Sequence, residues 1–173
     1  MATGGQGSGV DLVPLAAGDA ECLWALMQAV DVRAHLFEDS PASREAVGAM
    51  IAESLDRSRT RCYWRIATKD AHCAGVVGLR APSQASLALR AIGWRSLELV
   101  IAVDPQHRGR GLAAAAVDAV ADLAKSDGMT FALVVSADEA DERRHRLLQR
   151  SRFELLGRTA GAGNVRRIYE RPL

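Results

Sequence analysis

The chain has 173 residues, of which 49% are hydrophobic and 25% are charged, and its formal net charge is +1. This is the size of one globular domain that can bury its core without metal or disulfide bonds. A charge so close to zero excludes a global field that would recruit nucleic acid or an anionic membrane, so neither is an expected partner. The sequence has no window near the ~20 apolar residues of a membrane span and no secretory signal pattern, which predicts a cytoplasmic location.

Three cysteines, Cys22, Cys62 and Cys73, are odd in number and far apart along the chain. None belongs to a Cys-x-x-Cys pair or to a Cys/His cluster with metal-ligand spacing, so no metal site is predicted. In a reducing cytoplasm such cysteines are usually partly buried thiols. We therefore expect three free thiols without a redox role.

The N-terminal segment, residues 1–9, is rich in glycine and small polar residues, which predicts a disordered leader before a single domain over residues 10–173. Residues 10–15 predict a strand, after which Asp19 is placed to cap a helix. A second helix is expected to begin at Ser40 and Pro41. Its predicted buried stripe consists of Val47, Met50, Ile51 and Leu55.

The middle of the chain predicts strands over residues 62–68, 74–79 and 97–103. Residues 82–93 have no clear period and predict a loop. Asp104 and Pro105 end the third of these strands, because proline has no N–H group to donate to a sheet.

The C-terminal part predicts a helix over residues 111–126, ended by Gly128 as a left-handed cap, and a charged helix over residues 139–151. The remaining strands are predicted over residues 131–135, 153–156 and 164–169. The order β-α-α-β-β-β-α-β-α-β-β indicates one mixed α/β domain.

The most informative stretch is VDPQHRGRGLAA, residues 103–114. Gly109 and Gly111 allow backbone conformations that are closed to other residues, so several N–H groups can converge on one point. The unpaired N–H groups of the following helix's first turn, together with its dipole, favour an anion such as a pyrophosphate. Arg108 and Arg110 add cationic donors.

This turn differs from two other phosphate-binding motifs. It is not a Walker loop, because no Gly-Lys-Ser/Thr follows, and it lacks the third glycine and the acidic residue of the dinucleotide fingerprint. The remaining pattern is Arg-x-x-Gly-x-Ala at Arg108, Gly111 and Ala113, after a strand and a proline and before an alanine-rich helix. Taken alone, the two glycines are explained equally well by a structural turn.

The pattern resembles the acetyl-CoA motif of the GNAT superfamily of N-acetyltransferases, Arg/Gln-x-x-Gly-x-Gly/Ala, and the order of elements is similar over residues 10–169. The resemblance implies an α/β fold with a central, mostly antiparallel twisted sheet of about six or seven strands and four helices, splayed between strands 4 and 5. It also implies acetyl-CoA or another acyl-CoA as co-substrate, no metal, and a small-molecule amine or protein amine as acceptor. A homodimer is left open.

The same resemblance assigns the coenzyme site. Backbone groups of Ile101, Ala102 and Val103 would pair with the pantetheine arm, and a backbone N–H near Val103 would stabilise the oxyanion. The amides that would hold the pyrophosphate come from Arg108, Gly109, Arg110, Gly111, Leu112, Ala113 and Ala114.

Acyl transfer to an amine needs a neutral nucleophile and a proton for the departing thiolate. Glu98 is the candidate general base because it is a carboxylate in the apolar run LELVIAV, on the strand face shared by Val100 and Ala102. A solvated surface glutamate is the alternative. Many family members carry a proton-donating tyrosine where this chain has Leu148. His145, three residues earlier, is the candidate acid, with a surface histidine or protonation by water as alternatives.

Acceptor specificity is expected from residues 31–39, which contain several polar and charged side chains, and from the irregular segment 82–93. Three functions remain open at this point. The first is a catalytic N-acetyltransferase, the second a non-catalytic acyl-CoA-binding regulatory domain, and the third an anion-binding structural module.

Overall fold

The computed structural model describes residues 9–29, 32, 43–55, 61–83, 86, 96–128, 130–160 and 164–173. Several predictions fall outside these residues. They concern almost all of the leader, the helix start at Ser40 and Pro41, and most of the two acceptor segments, 31–39 and 82–93. The chain falls into two compact units. The first contains residues 1–79 and 100–119, and the second contains residues 80–99 and 120–173.

The described residues form seven strands and four α-helices, as predicted. The strands are β1 (Asp11–Pro14), β2 (Cys62–Thr68), β3 (Ala71–Arg80), β4 (Ser96–Val103), β5 (Ala132–Asp138), β6 (Glu154–Ala160) and β7 (Val165–Pro172). The helices are α1 (Ala20–Gln28), α2 (Arg44–Leu55), α3 (Leu112–Ser126) and α4 (Glu142–Arg150), with 3₁₀ turns at Ala17–Asp19 and Pro105–His107.

The strands form one sheet in the order β1-β2-β3-β4-β5-β7-β6. β4 and β5 are parallel. The pairs β1–β2, β2–β3, β5–β7 and β6–β7 are antiparallel. This confirms the predicted mixed, mostly antiparallel sheet. The register of β4 with β5 runs from Ser96↔Ala132 to Glu98↔Val134, although both strands continue beyond the last pair.

The core of the first unit is a cluster of aliphatic side chains from α1, α2, β2, β3 and β4. Three of the four residues predicted as the buried stripe of α2, namely Val47, Met50 and Ile51, belong to it. The prediction is wrong for Leu55, which is 55% exposed. Leu55 is the last residue of α2, so the apolar stripe leaves the core before the helix ends.

Asp19 lies at the N-cap position of α1, but its side chain makes no capping hydrogen bond to that helix. It accepts instead from the Ala16 N–H at 2.9 Å, because a 3₁₀ turn precedes the helix. The same carboxylate lies 3.3 Å from Arg65 Nε and 3.3 Å from His72 Nε2. The prediction of a simple helix cap is therefore wrong, and Asp19 ties the start of α1 to β2 and β3.

The prediction of three free thiols is wrong for two of them. Cys22 on α1 and Cys73 on β3 form a disulfide bond, with their Cα atoms 6.6 Å apart. Cys62 is a free thiol. The bonded residues are 51 positions apart, so their spacing in the sequence carried no sign that the fold joins them. Such bonds persist mainly in oxidising compartments, and the cytoplasmic location stays a prediction.

Two predicted elements have shifted ends with identifiable causes. β5 extends to Asp138 because it pairs with β7 along its whole length. α4 begins only at Glu142, where the Asp141 side chain accepts from the Arg144 N–H at 2.9 Å and caps the helix. Among the helices that the structure describes, none has both the length and the apolar character that crossing a bilayer requires.

Candidate active site

The turn between β4 and α3 lies in the first unit and is held by its own backbone and side chains. The Asp104 N–H donates to the Ala74 carbonyl at 2.9 Å, and the Asp104 side chain accepts from the Gln106 N–H at 2.8 Å. Arg108 Nε donates to the Val103 carbonyl at 2.9 Å. These contacts fasten the end of β4 to β3 at one side and to the turn at the other.

Gly109 and Gly111 both have a φ angle of +78°. Side-chain-bearing residues rarely adopt this conformation. A Cβ atom added at either position would meet no atom within 4 Å, so the need for glycine is conformational and the space beside the turn is open. The sequence prediction for these two glycines therefore has a structural basis.

The backbone N–H groups that follow the turn are available to a ligand. Within the described chain, the N–H groups of Gly109, Arg110, Gly111, Leu112, Ala113 and Ala114 donate to no protein acceptor. An α-helix leaves its first N–H groups unpaired in this way, and the helix dipole adds partial positive charge at the same end. The turn thus fits the diphosphate of an acyl-CoA.

Gly75 on β3 is a site residue that the sequence analysis missed. A Cβ atom there would overlap the Ala102 carbonyl oxygen and lie 3.0 Å from Val103 Cα. Only glycine allows β3 to lie this close to Ala102 and Val103 of β4. These two residues belong to the part of β4 that was assigned to the pantetheine arm. The signal available in the sequence was a lone glycine inside an apolar strand.

Glu98 lies in the second unit and is 3% exposed, so the alternative of a solvated surface glutamate is wrong. Its Oε2 atom accepts from the Ser83 N–H at 2.7 Å and lies 3.4 Å from an Arg80 terminal nitrogen. Its Oε1 atom accepts from the Ser83 and Ser86 hydroxyls, each at 3.3 Å. Three hydrogen bonds and one ion pair therefore surround the carboxylate, and the hydrogen bonds take three of its about four lone-pair sites.

This arrangement limits how Glu98 can act as a base. A proton acceptor needs a free lone pair, and the three hydrogen bonds leave about one such site on the carboxylate. Ser83 and Ser86 both belong to segment 82–93, from which acceptor specificity was predicted. The assignment of Glu98 as general base stays a prediction.

His145 is buried at 2% exposure, so the alternative of a surface histidine is also wrong. Its Nε2 atom is 3.1 Å from the Glu139 carbonyl, and its Nδ1 atom is 3.0 Å from the Tyr169 hydroxyl. A carbonyl oxygen only accepts, so Nε2 carries a hydrogen and donates it to Glu139. Both ring nitrogens are engaged, and the role of His145 as general acid stays a prediction.

Arg144 and Arg80 are two charged residues that the sequence analysis did not place near Glu98. Arg144 is half-buried, and its Nε atom is enclosed without a hydrogen-bond partner in the described residues. Burial lowers the pKa of its guanidinium, with Asp141 and Glu98 acting against this shift and Arg166 and Arg80 adding to it. Arg144 lies four residues before the buried Leu148. This helical spacing is the sequence signal that could have placed Arg144 on the inner face of α4.

No three His, Cys, Asp or Glu side chains of the described ranges are grouped so that they could hold a metal ion.

A family model of the acetyltransferase (GNAT) domain matches residues 10–154. The match covers most of the chain, and the protein belongs to the GNAT family of acetyltransferases. A comparison with curated proteins finds no match.

Several solved structures share the fold. The Salmonella typhimurium acetyltransferase that modifies the N-terminal serine of ribosomal protein L7/L12 has a TM-score of 0.77 at 14% identity, covering 96% of each chain. The microcin C7 self-immunity acetyltransferase MccE, in complex with acetyl-CoA and AMP, has a TM-score of 0.75 at 16% identity, covering 96% of this chain and 94% of that one. The Vibrio cholerae spermidine N-acetyltransferase, in complex with CoA and spermine, has a TM-score of 0.77 at 15% identity, covering 95% of each chain.

At these identities the structural likeness shows the fold, whereas the family match defines the class of enzyme. The protein is an acyl-CoA-dependent N-acetyltransferase, as the motif predicted, and its co-substrate is acetyl-CoA or another acyl-CoA.

Proposed function

We propose that the protein transfers an acetyl group from acetyl-CoA to the primary amine of a small molecule, a protein lysine or a protein N-terminus, by direct attack of the amine on the thioester. The amine nitrogen forms the C–N bond, the C–S bond breaks, and CoA leaves as a thiolate that takes up a proton. The amine loses its own proton to a base. The observation that carries this proposal is the turn at Gly109 and Gly111, whose positive φ angles and unpaired N–H groups suit a diphosphate.

The coenzyme is held mainly by backbone. The N–H groups of residues 109–114 bind the diphosphate, whereas the N–H of Arg108 donates to the Pro105 carbonyl and is not available to it. The backbone of Ile101, Ala102 and Val103 receives the pantetheine arm. The contact of Arg108 Nε with the Val103 carbonyl supports this arrangement because it couples the diphosphate turn to the strand end. A backbone N–H near Val103 then stabilises the oxyanion that forms during attack.

Glu98 removes the proton of the ammonium, directly or through a water molecule. The burial of Glu98 and its position on β4 support this role. The thiolate is protonated by His145 or by water. A thiol with a pKa of ~8.5 leaves readily as a thiolate, so water can protonate the thiolate without an acidic side chain.

Two measurements test the proposal. Acetyl-CoA at one hundred times its Kd should raise the free energy of unfolding by about 2.7 kcal/mol. CoA thiol release in the presence of an amine panel, with the acetylated product identified by mass, then tests transfer. Stabilisation without transfer to any amine would identify the non-catalytic acyl-CoA-binding domain, and absence of stabilisation would contradict the coenzyme site itself.

A further inference from the structure

We propose that the Ser136 hydroxyl contacts the substrate amine and accepts a hydrogen bond from the nitrogen whose proton Glu98 removes. The inference rests on the proposed function and adds a substrate-binding residue to the same site. It follows from a buried hydroxyl without a protein partner, on the face of the sheet that carries Glu98.

The Ser136 side chain is buried and unsatisfied. Ser136 lies on β5 and is 4% exposed. Its Oγ atom is enclosed and makes no hydrogen bond within the part of the chain that the structure describes. Burying a hydroxyl without a partner is unfavourable, whereas valine or alanine would occupy a strand position without this cost. An unpaired buried hydroxyl therefore points to a ligand that supplies the missing partner.

Strand register places Ser136 beside Glu98, and both belong to the second unit. Glu98 pairs with Val134 in the parallel ladder, so these two side chains point to the same face of the sheet. Ser136 is two residues after Val134 and lies on that face as well. A strand spacing of about 4.8 Å and a rise of about 3.3 Å per residue put the Cα atoms of Glu98 and Ser136 about 8 Å apart. Side chains extending from such positions can both reach one nitrogen atom.

The neighbours of Ser136 on this face do not use its hydroxyl. Asp138, the next residue of β5 on the face, accepts from the Ala140 N–H at 2.9 Å and lies opposite Arg166 in the sheet. Ile168, directly opposite Ser136 on β7, is apolar and fully buried. The Ser136 hydroxyl is therefore an acceptor that the protein leaves for a ligand.

A substrate amine matches this pair of hydrogen-bond acceptors. The three hydrogen bonds to Glu98 leave about one lone-pair site on its carboxylate. One N–H of the bound ammonium donates to this site and passes its proton to Glu98, and a second N–H donates to Ser136 Oγ. The nitrogen keeps the second hydrogen bond after the proton has left, which holds it in place while its lone pair attacks the thioester.

Two variants of the same shape test the hydroxyl in the full-length enzyme. Ser136→Thr keeps the hydroxyl, and Ser136→Val has a methyl group in its place. Kinetics are measured with the best substrate among hexylamine, 2-phenylethylamine and a peptide with a free N-terminal serine. We expect kcat/KM of Ser136→Val to be about ten- to one-hundredfold below that of Ser136→Thr, mainly through a higher KM for the amine. Stabilisation by acetyl-CoA should be equal in both.

Ser151→Ala is the matched control, because Ser151 is also buried with an unpartnered hydroxyl but lies at the end of α4, and it should keep wild-type kinetics. Thermal unfolding separates loss of binding from loss of fold. Ser136→Ala, which adds no atom, should show the same kinetic loss if the larger side chains are not tolerated. Equal kcat/KM in Ser136→Thr and Ser136→Val, wild-type kinetics in Ser136→Ala, or loss of acetyl-CoA stabilisation in Ser136→Val alone would overturn the inference.

A labelling experiment tests the same position without turnover. Ser136→Cys is made in a Cys62→Ser background, and its thiolate reacts with cystamine or with the neutral bis(2-hydroxyethyl) disulfide. A mixed disulfide forms and cysteamine or 2-mercaptoethanol is released. We expect cystamine to react at least tenfold faster, because its ammonium binds beside Glu98, and Glu98→Gln should remove most of this difference. Peptide mass spectrometry locates the label.

Equal rates with the two reagents, a difference unchanged in Glu98→Gln, or no labelling by either reagent would overturn the inference. If the wild-type enzyme acetylates none of the three amines, the labelling rates decide the inference alone. Failure of acetyl-CoA to stabilise the wild-type enzyme would instead reject the proposed function.

Discussion

The Glu98 carboxylate is both buried and hydrogen-bonded, and the two have opposite effects on the free energy of folding. Leaving a buried carboxylate without partners would cost several kcal/mol, and the donors from Ser83, Ser86 and Arg80 offset this cost. The same contacts hold Ser83 and Ser86 against the start of β4. Glu98 therefore has a structural role beside its proposed chemical role. A substitution of Glu98 should change both the stability and the turnover of the enzyme.

Glu98→Gln should lower kcat by about 10²–10⁴-fold, the usual contribution of a general base, without changing stabilisation by acetyl-CoA. Glutamine also replaces one carboxylate oxygen by an NH₂ group, and this donor would face groups that donate to Glu98 in the wild type, which should cost about 1–3 kcal/mol of stability. Steady-state kinetics and thermal unfolding measure the two effects separately. Glu154→Gln, on the exposed face of β6, is the control, and wild-type turnover in Glu98→Gln would remove Glu98 from the mechanism.

The proposed coenzyme site is formed by three consecutive parts of the chain: β4, the turn that contains Gly109 and Gly111, and α3. Its parts are close in sequence, and each follows from local rules: an apolar strand, a proline stop, two glycines and a helix of small residues. The two glycines are required by backbone conformation, since no neighbouring atom crowds either of them.

Gly111→Val should abolish acetyl-CoA binding while the sheet remains folded. A β-branched residue at a φ angle of +78° costs about 1–3 kcal/mol, so the turn would change its conformation and its N–H groups would no longer converge. Thermal shift with acetyl-CoA and circular dichroism measure binding and fold. Gly48→Ala, in open space on α2, should retain binding, and micromolar affinity in Gly111→Val would count directly against the site.

At the scale of the whole molecule, the disulfide is the feature that most changes the expected behaviour. It closes a loop between residues 51 positions apart and joins α1 to β3 within the first unit. Beside it, Asp19 connects the same two elements through its contact with His72. The N-terminal helix is thus attached to the sheet by a covalent bond and by polar contacts, in addition to the apolar core.

Cys22→Ser with Cys73→Ser should lower the free energy of unfolding by about 2–4 kcal/mol relative to the oxidised wild type, because the cross-link restricts the unfolded chain. Denaturant unfolding with and without reductant measures this, and reductant should have no further effect on the double variant. Cys62→Ser is the control for loss of a thiol. A titration that finds three free thiols in the unreduced protein would show that the bond does not form.

The sequence by itself determined the order of elements, the mixed sheet and the glycine turn, because each depends on periodicity or on residues that are neighbours in the chain. It also placed Glu98 on one face of β4 with Val100 and Ala102 through strand alternation, whereas the burial of Glu98 was decided by the folded structure. Helical spacing could also have placed Arg144 on the inner face of α4, since it lies four residues before the buried Leu148. The class of enzyme followed from the turn and its resemblance to one family.

Tertiary structure alone decided the contacts between distant residues. Three examples join segments that no local pattern in the sequence relates. They are the disulfide between Cys22 and Cys73, the contacts of Ser83, Ser86 and Arg80 with Glu98, and the hydrogen bond between His145 and Tyr169. Such contacts depend on how strands and helices are arranged in three dimensions. For that reason the motif predicted the class of enzyme, whereas the contacts around Glu98 and His145 became visible only in the folded chain.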